Sequence, residues 1–182
     1  MMLYDSMPAA VAAETDDFTT LPIARFPEWL TAVALPAGWS AVNAGESVRA
    51  AVRGPRRDGG FDASAALEVY GFTDLPTYDA VRFHADRALR VAQAQQISSR
   101  VLTTPARPGV VAVRATGVVA TDGTPVWAQH SFYLAAADEP HAGRLIVQGL
   151  FAATDRRELY VGELTALADD LQAGFVAALG QD

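Results

Sequence analysis

The chain contains no cysteine and no lysine, and only three histidines among its 182 residues. Without a thiol there can be no disulfide, no cysteine nucleophile, no iron–sulfur cluster and no cysteine-ligated zinc. The histidines, His84, His130 and His141, fall on a predicted helix, a strand and a loop, without the close spacing of a zinc motif. All fourteen basic residues are arginine, which with abundant alanine and three isoleucines reads as the codon bias of a GC-rich genome. The formal charge of -7 argues against a nucleic-acid partner, since phosphate backbones are bound by basic surfaces. No apolar run approaches the ~18–20 residues of a membrane span. The opening stretch MMLYDSMPAAVAAETDDF lacks the basic start and apolar core of a secretory signal. The expectation is a soluble, cytoplasmic protein.

What is present suits one globular domain: 51% hydrophobic and 19% charged residues. Residues 1–27 are small, polar and acidic and read as a loosely structured leader with room for one short helix; residues 28–182 read as a single α+β domain. Strand patterns at 29–35 and 39–43 flank the turn Pro36-Ala37-Gly38-Trp39. SVRAAVRG and FDASAALEVYGF flank the loop GPRRDGG, and the burial pattern favours a register with Arg53 opposite Asp62 and Ala51 opposite Ser64. Between Thr73 and Gln95 the period becomes helical: Leu75, Tyr78, Val81, Ala85, Leu89 and Ala92 share a face, with Asp74 or Thr77 as N-cap. Strands return at 97–103, 109–120, 125–135 and 143–153. A final helix carries Leu164, Leu167, Leu171, Phe175 and Leu179 in one stripe, with Asp155 and Glu158 spaced as a capping box. Short links between strands imply antiparallel pairing. The fold class is α+β, a meandering antiparallel sheet of about six or seven strands with two main helices.

The hairpin VVAVRATGVVATDGTPVWAQHSFYLA is the most informative segment. Asp122-Gly123 is a strong two-residue turn signal, which places Thr121 opposite Thr124. One face then collects Val111, Val113, Ala115, Gly117, Val119, Val126, Ala128, His130, Phe132 and Leu134, a core pattern in which His130 reads as a core histidine. The other collects Arg114, Thr116, Val118, Trp127, Gln129, Ser131 and Tyr133. The next strand extends the apolar face with Leu145, Val147 and Phe151, and the mixed face with Arg144, Ile146, Gln148 and Leu150. Large aromatics, arginine and amides together are the composition of a binding surface. Arg114, Thr116, Trp127, Gln129, Tyr133, Arg144 and Gln148 are therefore the candidate partner- or ligand-binding residues. The same pattern also suits a face covered by the leader or by a helix.

No catalytic motif is present. GWSAV departs from the nucleophile elbow at its last position, and Asp169-Asp170 are adjacent on a helix and diverge. GPRRDGG joins two strands, so it is neither a P-loop nor a dinucleotide fingerprint. No cofactor and no metal are expected, and the chain is read as not an enzyme.

The order strand, LPAGW turn, hairpin, helix, strands with a DG turn, final strand and helix resembles the PsbP/Mog-like α/β/α sandwich superfamily. Within it the chain is most similar to actinobacterial LpqN/LpqT-type proteins, in which an early Pro-x-Gly-Trp turn makes a corner. The resemblance covers roughly residues 28–180; this sequence lacks the lipobox cysteine and the signal peptide of that type. It implies a mostly non-enzymatic role. The expectation is a binding module, adaptor- or chaperone-like, that recognises a protein or peptide through the mixed face, as a monomer or homodimer. The alternative is a carrier of a small hydrophobic ligand or lipid on the same face.

Overall fold

Antiparallel pairing between neighbours organises the chain. In order, the elements are α1 (Met7–Ala12), β1 (Asp16–Thr20), α2 (Glu28–Thr31), β2 (Ser40–Asn43), β3 (Arg49–Pro55), β4 (Phe61–Thr73), α3 (Tyr78–His84), α4 (Arg87–Val91), β5 (Gln95–Val101), β6 (Val110–Thr121), β7 (Thr124–Ala135), β8 (Gly143–Ala153) and α5 (Arg157–Leu179). The computed structural model describes residues 5–57, 59–121, 123–137 and 139–180; Asp58 and the turn residue Asp122 lie outside them. The sheet runs β2-β3-β4-β8-β7-β6-β5, with β1 joined to β4. The class is α+β with an antiparallel sheet, as the sequence predicts. Helix α5 lies on one face of the sheet with Leu30 of α2 beneath it, while α1, α3 and α4 lie on the other.

The β6–β7 register is the predicted one: Thr121 faces Thr124, Gly123 has φ +79°, and Val113 faces Phe132. Leu145, Val147 and Phe151 of β8 continue the apolar face, and Ile146, Gln148 and Leu150 the mixed one. Thr77 caps α3 through its side chain, but the predicted single helix is two, with a break before α4.

Residues 1–27 were expected to be loose; from Met7 onward they are part of the domain. Met7 and Val11 are buried against Phe72, Val81 and Leu145. Strand β1 takes the end of β4 that β3 leaves free, since β3 pairs with Phe61 to Leu67 and β1 with Tyr70 to Thr73. A six-residue helix and a five-residue strand are too short to show a period. The strand expected at 29–35 is absent. Leu30 lies buried in the short α2, and Trp29 packs so closely on Gly174 of α5 that a Cβ there would sit 2.8 Å from the indole.

The β3–β4 register is one residue from the expected one: Ala51 faces Ala65 and Arg53 faces Ala63. Arg49 and Arg53 therefore share the α5 face with Ala51 and Leu67. They do so by reaching polar partners at its rim. Arg49 donates to the carbonyls of Leu30 and Val33 at 2.9 and 2.8 Å, and Arg53 pairs with Glu163 at 3.2 Å. The capping box also fails to form. The N-cap of α5 is Arg156, with no side-chain cap bond, and Asp155 pairs with Arg156 instead.

The Pro36–Trp39 corner closes as a turn, with Trp39 N–H donating to Pro36 O at 3.1 Å and Gly38 at φ +83°. Trp39 is 8% exposed, and its indole N–H donates to Glu163 of α5 at 2.6 Å. Trp39→Ala removes this wedge and should cost about 3–5 kcal/mol, read as a lowered urea midpoint; an unchanged midpoint would show the corner to be peripheral.

His130 sits half-buried on the apolar face, edge-on to Phe132 and Phe151 at 6.2 and 5.7 Å between centroids. Burial lowers its pKa. The folded state thus binds a proton less readily than the unfolded chain, whose histidine titrates near ~6.5. Stability linked to His130 is full above that value and is lost as pH falls below it. His130→Leu should flatten the acid limb of ΔG against pH relative to the parent; parallel curves would count against the assignment.

Candidate functional site

All seven candidate residues project from the same face of β6, β7 and β8, but that face is not open. Helix α5 lies across it, its stripe of Leu164, Leu167, Ala168, Leu171 and Phe175 buried against the sheet. A peptide laid from Trp127 to Leu150 would occupy the volume of the helix. Of the two readings of the mixed face, open or covered by the leader or a helix, the structure has the second, and the covering element is α5.

The polar groups beneath the helix are mostly engaged by it. Arg114 donates from Nη2 to Ala168 O at 3.3 Å and from Nε to Ser131 Oγ at 3.1 Å. Tyr133 O–H donates to the same Ala168 carbonyl at 3.4 Å, with its ring 5.3 Å from that of Phe175. Burial pushes the Tyr133 hydroxyl pKa up, so it stays a donor at neutral pH. Gln148 donates from Nε2 to Leu167 O at 3.0 Å.

On either flank of α5 a crevice remains. The first lies toward β3 and β4, about 100 Å³ and lined by Val33, Leu35, Ala51, Ala65, Leu67 and Leu171, with Arg49 and Gln148 as polar members. Gln148 is buried, and its Oε1 has no hydrogen-bond partner. The second lies toward β5, β6 and β7, about 220 Å³, where Arg114, Trp127 and Gln129 meet Arg100, Arg157 and Asp169. Arg157 stacks over the Trp127 ring at 4.6 Å. Gln129 Nε2 and Arg157 Nε are both buried without a partner.

The remaining candidates are dispersed. Thr116 is half-buried opposite Gln129 and lines neither crevice. Arg144 stands at the C-terminal end of α5, in a groove of about 500 Å³ with Trp29, Arg107 and Leu179. Burial lowers its pKa, and Arg25 nearby adds to the effect. Five of the seven are thus divided among three places by one helix, while Tyr133 lies beneath it and Thr116 lines none of the three.

Sequence reasoning missed Arg49, Arg100 and Arg157, together with Val33 and Leu35. One signal was legible: Arg156-Arg157 opens a 23-residue helix at the end where the dipole disfavours cations. Among the described residues no three His, Asp or Glu side chains are gathered to hold a metal, and no helix is long and apolar enough to cross a membrane.

No family model and no curated protein matches the sequence. Among solved structures, the fold is similar to that of LpqN of Mycobacterium tuberculosis, described as involved in cell envelope biogenesis. The TM-score is 0.60 over 84% of this chain and 88% of that one, at 10% identity. The chain therefore has an LpqN-like α+β fold.

Proposed function

We propose that this is a non-catalytic binding protein that holds a small, largely apolar ligand in the crevice between α5 and the β3–β4 half of the sheet. The LpqN-like fold carries no activity across by itself, and the wider PsbP/Mog-like assignment belongs to this reading through element order alone. The observation that carries the proposal is Gln148. A buried carboxamide oxygen left without a donor costs about 1–3 kcal/mol, and the side chain that carries it lines a cavity walled by Val33, Leu35, Ala65 and Leu171. Apolar walls with one placed polar group are the usual makeup of a small-molecule site. The ligand expected is an alkyl chain bearing one hydrogen-bond donor, such as a hydroxyl. Alanines at 51 and 65 keep the floor low enough to admit it.

A protein partner is the second reading, favoured by the opposite side of the sheet. There Val42 is 38% exposed, and its face-mates Val52, Ala66 and Phe151 are only partly covered.

Titration with 1-octanol followed by amide NMR should shift Val33, Leu35, Ala65 and Leu171, and methyl octyl ether, which has no donor, should bind roughly tenfold more weakly. Ala65→Leu fills the floor and should abolish both. Absence of shifts in the parent protein, or equal affinity for alcohol and ether, would remove this reading.

A further inference from the structure

On the other flank of α5, chemistry of a different kind is gathered. Three guanidinium groups, from Arg100 on β5, Arg114 on β6 and Arg157 on α5, line one crevice with a single carboxylate, Asp169. Among the described residues Asp169 pairs with Arg114, at 3.8 Å, and its side chain is 63% exposed. The crevice is therefore left with an excess of positive charge in a protein whose net charge is -7. Two of its lining residues each carry a buried donor, Gln129 Nε2 and Arg157 Nε, that finds no acceptor among the described residues. Gln129 is only 7% exposed, so its amide has little bulk water to turn to.

The local sequence makes this costly to maintain. Arg157 begins α5, where the helix dipole repels a cation, and its Cζ lies over the Trp127 ring, 4.6 Å from the centroid. Acceptors with several lone pairs and negative charge would suit such a cluster of arginines and amide donors.

We infer that the crevice framed by Trp127, Gln129, Arg114, Arg157 and Arg100 is a binding site for a phosphate dianion, carried by a small phosphomonoester or supplied as free phosphate. Three arginines against one aspartate leave a formal excess of two positive charges, which matches a dianion and not a monocarboxylate. A tetrahedral oxyanion also offers enough acceptors for several of the guanidinium and amide groups that line the crevice. This site is separate from the apolar crevice, which lies across α5, so the two readings stand or fall independently.

The test is NMR titration of the full chain with inorganic phosphate, with acetate at equal ionic strength as the competing arm. The readouts are the Gln129 side-chain amide, the Trp127 indole N–H and the Arg157 Nε–H. Phosphate should shift all three in a saturable way and acetate should not. Arg100→Gln, at an exposed position, should weaken phosphate binding roughly tenfold, the loss of one charge-assisted contact, with an unchanged melting temperature. Arg157→Met should weaken it further and release the Trp127 signal, while octanol shifts at Val33 and Ala65 persist. Phenyl phosphate binding more tightly than inorganic phosphate would mark a phosphomonoester as the occupant; equal affinity would mark free phosphate. No saturable shift with phosphate, equal shifts with acetate, or unaltered binding by both variants would overturn the proposal, leaving the donors served by water.

Discussion

The middle of α5 is where the structure is tied together. The carbonyls of Leu167 and Ala168 receive Gln148 of β8, Tyr133 of β7 and Arg114 of β6. A helical carbonyl already accepts one backbone N–H, so its second lone pair takes Gln148 at Leu167, whereas at Ala168 Arg114 and Tyr133 share it at 3.3 and 3.4 Å. Three adjacent strands thereby fix one turn of a 23-residue helix. Each bond contributes only about 1 kcal/mol net, yet leaving any of these donors buried and unpaired would cost more than that. The helix can neither slide nor rotate on the sheet without orphaning at least one of them.

That constraint decides the chemistry of what lies beside the helix. With the Leu167 and Ala168 carbonyls held over β6, β7 and β8, Leu167 and Leu171 border β3 and β4, where Ala51, Ala65 and Leu67 supply a low apolar floor. Thr165 and Asp169 border the other side, where β5, β6 and β7 present Arg100, Arg114, Gln129 and Trp127. Positions four apart share one flank of a helix, so two i,i+4 pairs line two unlike crevices. The Trp39 indole and Arg53 both reach Glu163, one helical turn before Leu167, and brace the same element from the β2–β3 side.

How much of this was legible depends on the length of each pattern. Twelve-residue strands joined through Gly123 allow one register that keeps Val113 with Phe132 and Ala115 with His130, and the parity of the turn carried both faces correctly into β8. In β3, parity misled because arginine was assigned to water. Arg49 and Arg53 face α5 and export only their guanidinium groups, which is snorkelling along an apolar wall. Residues 7–20 hid for a different reason: their three buried helical residues and five-residue strand draw their order from β4 and the α1–α3 layer, which no local window contains. Asp155 and Glu158 had the spacing of a cap, but Asp155 pairs with Arg156 and the helix starts one residue later than a capping box would require.

The mixed face itself was identified, and its meaning was not. Seven polar or amphipathic residues on one face suit a docking surface or the seat of a helix equally well, and composition does not separate the two. Hydrogen-bond accounting does. Arg114 Nη2, Tyr133 O–H and Gln148 Nε2 end on α5 carbonyls, so holding the helix accounts for them fully. Gln148 Oε1, Gln129 Nε2 and Arg157 Nε are equally buried and end on nothing. If seating α5 were the only demand on this face, leucine or methionine at 129 and 157 would serve it better, because a half-satisfied polar network is less stable than an apolar contact of the same shape. The side chains at 129, 148 and 157 therefore carry more polar capacity than seating α5 requires, and that surplus is what the two proposed ligands are invoked to explain.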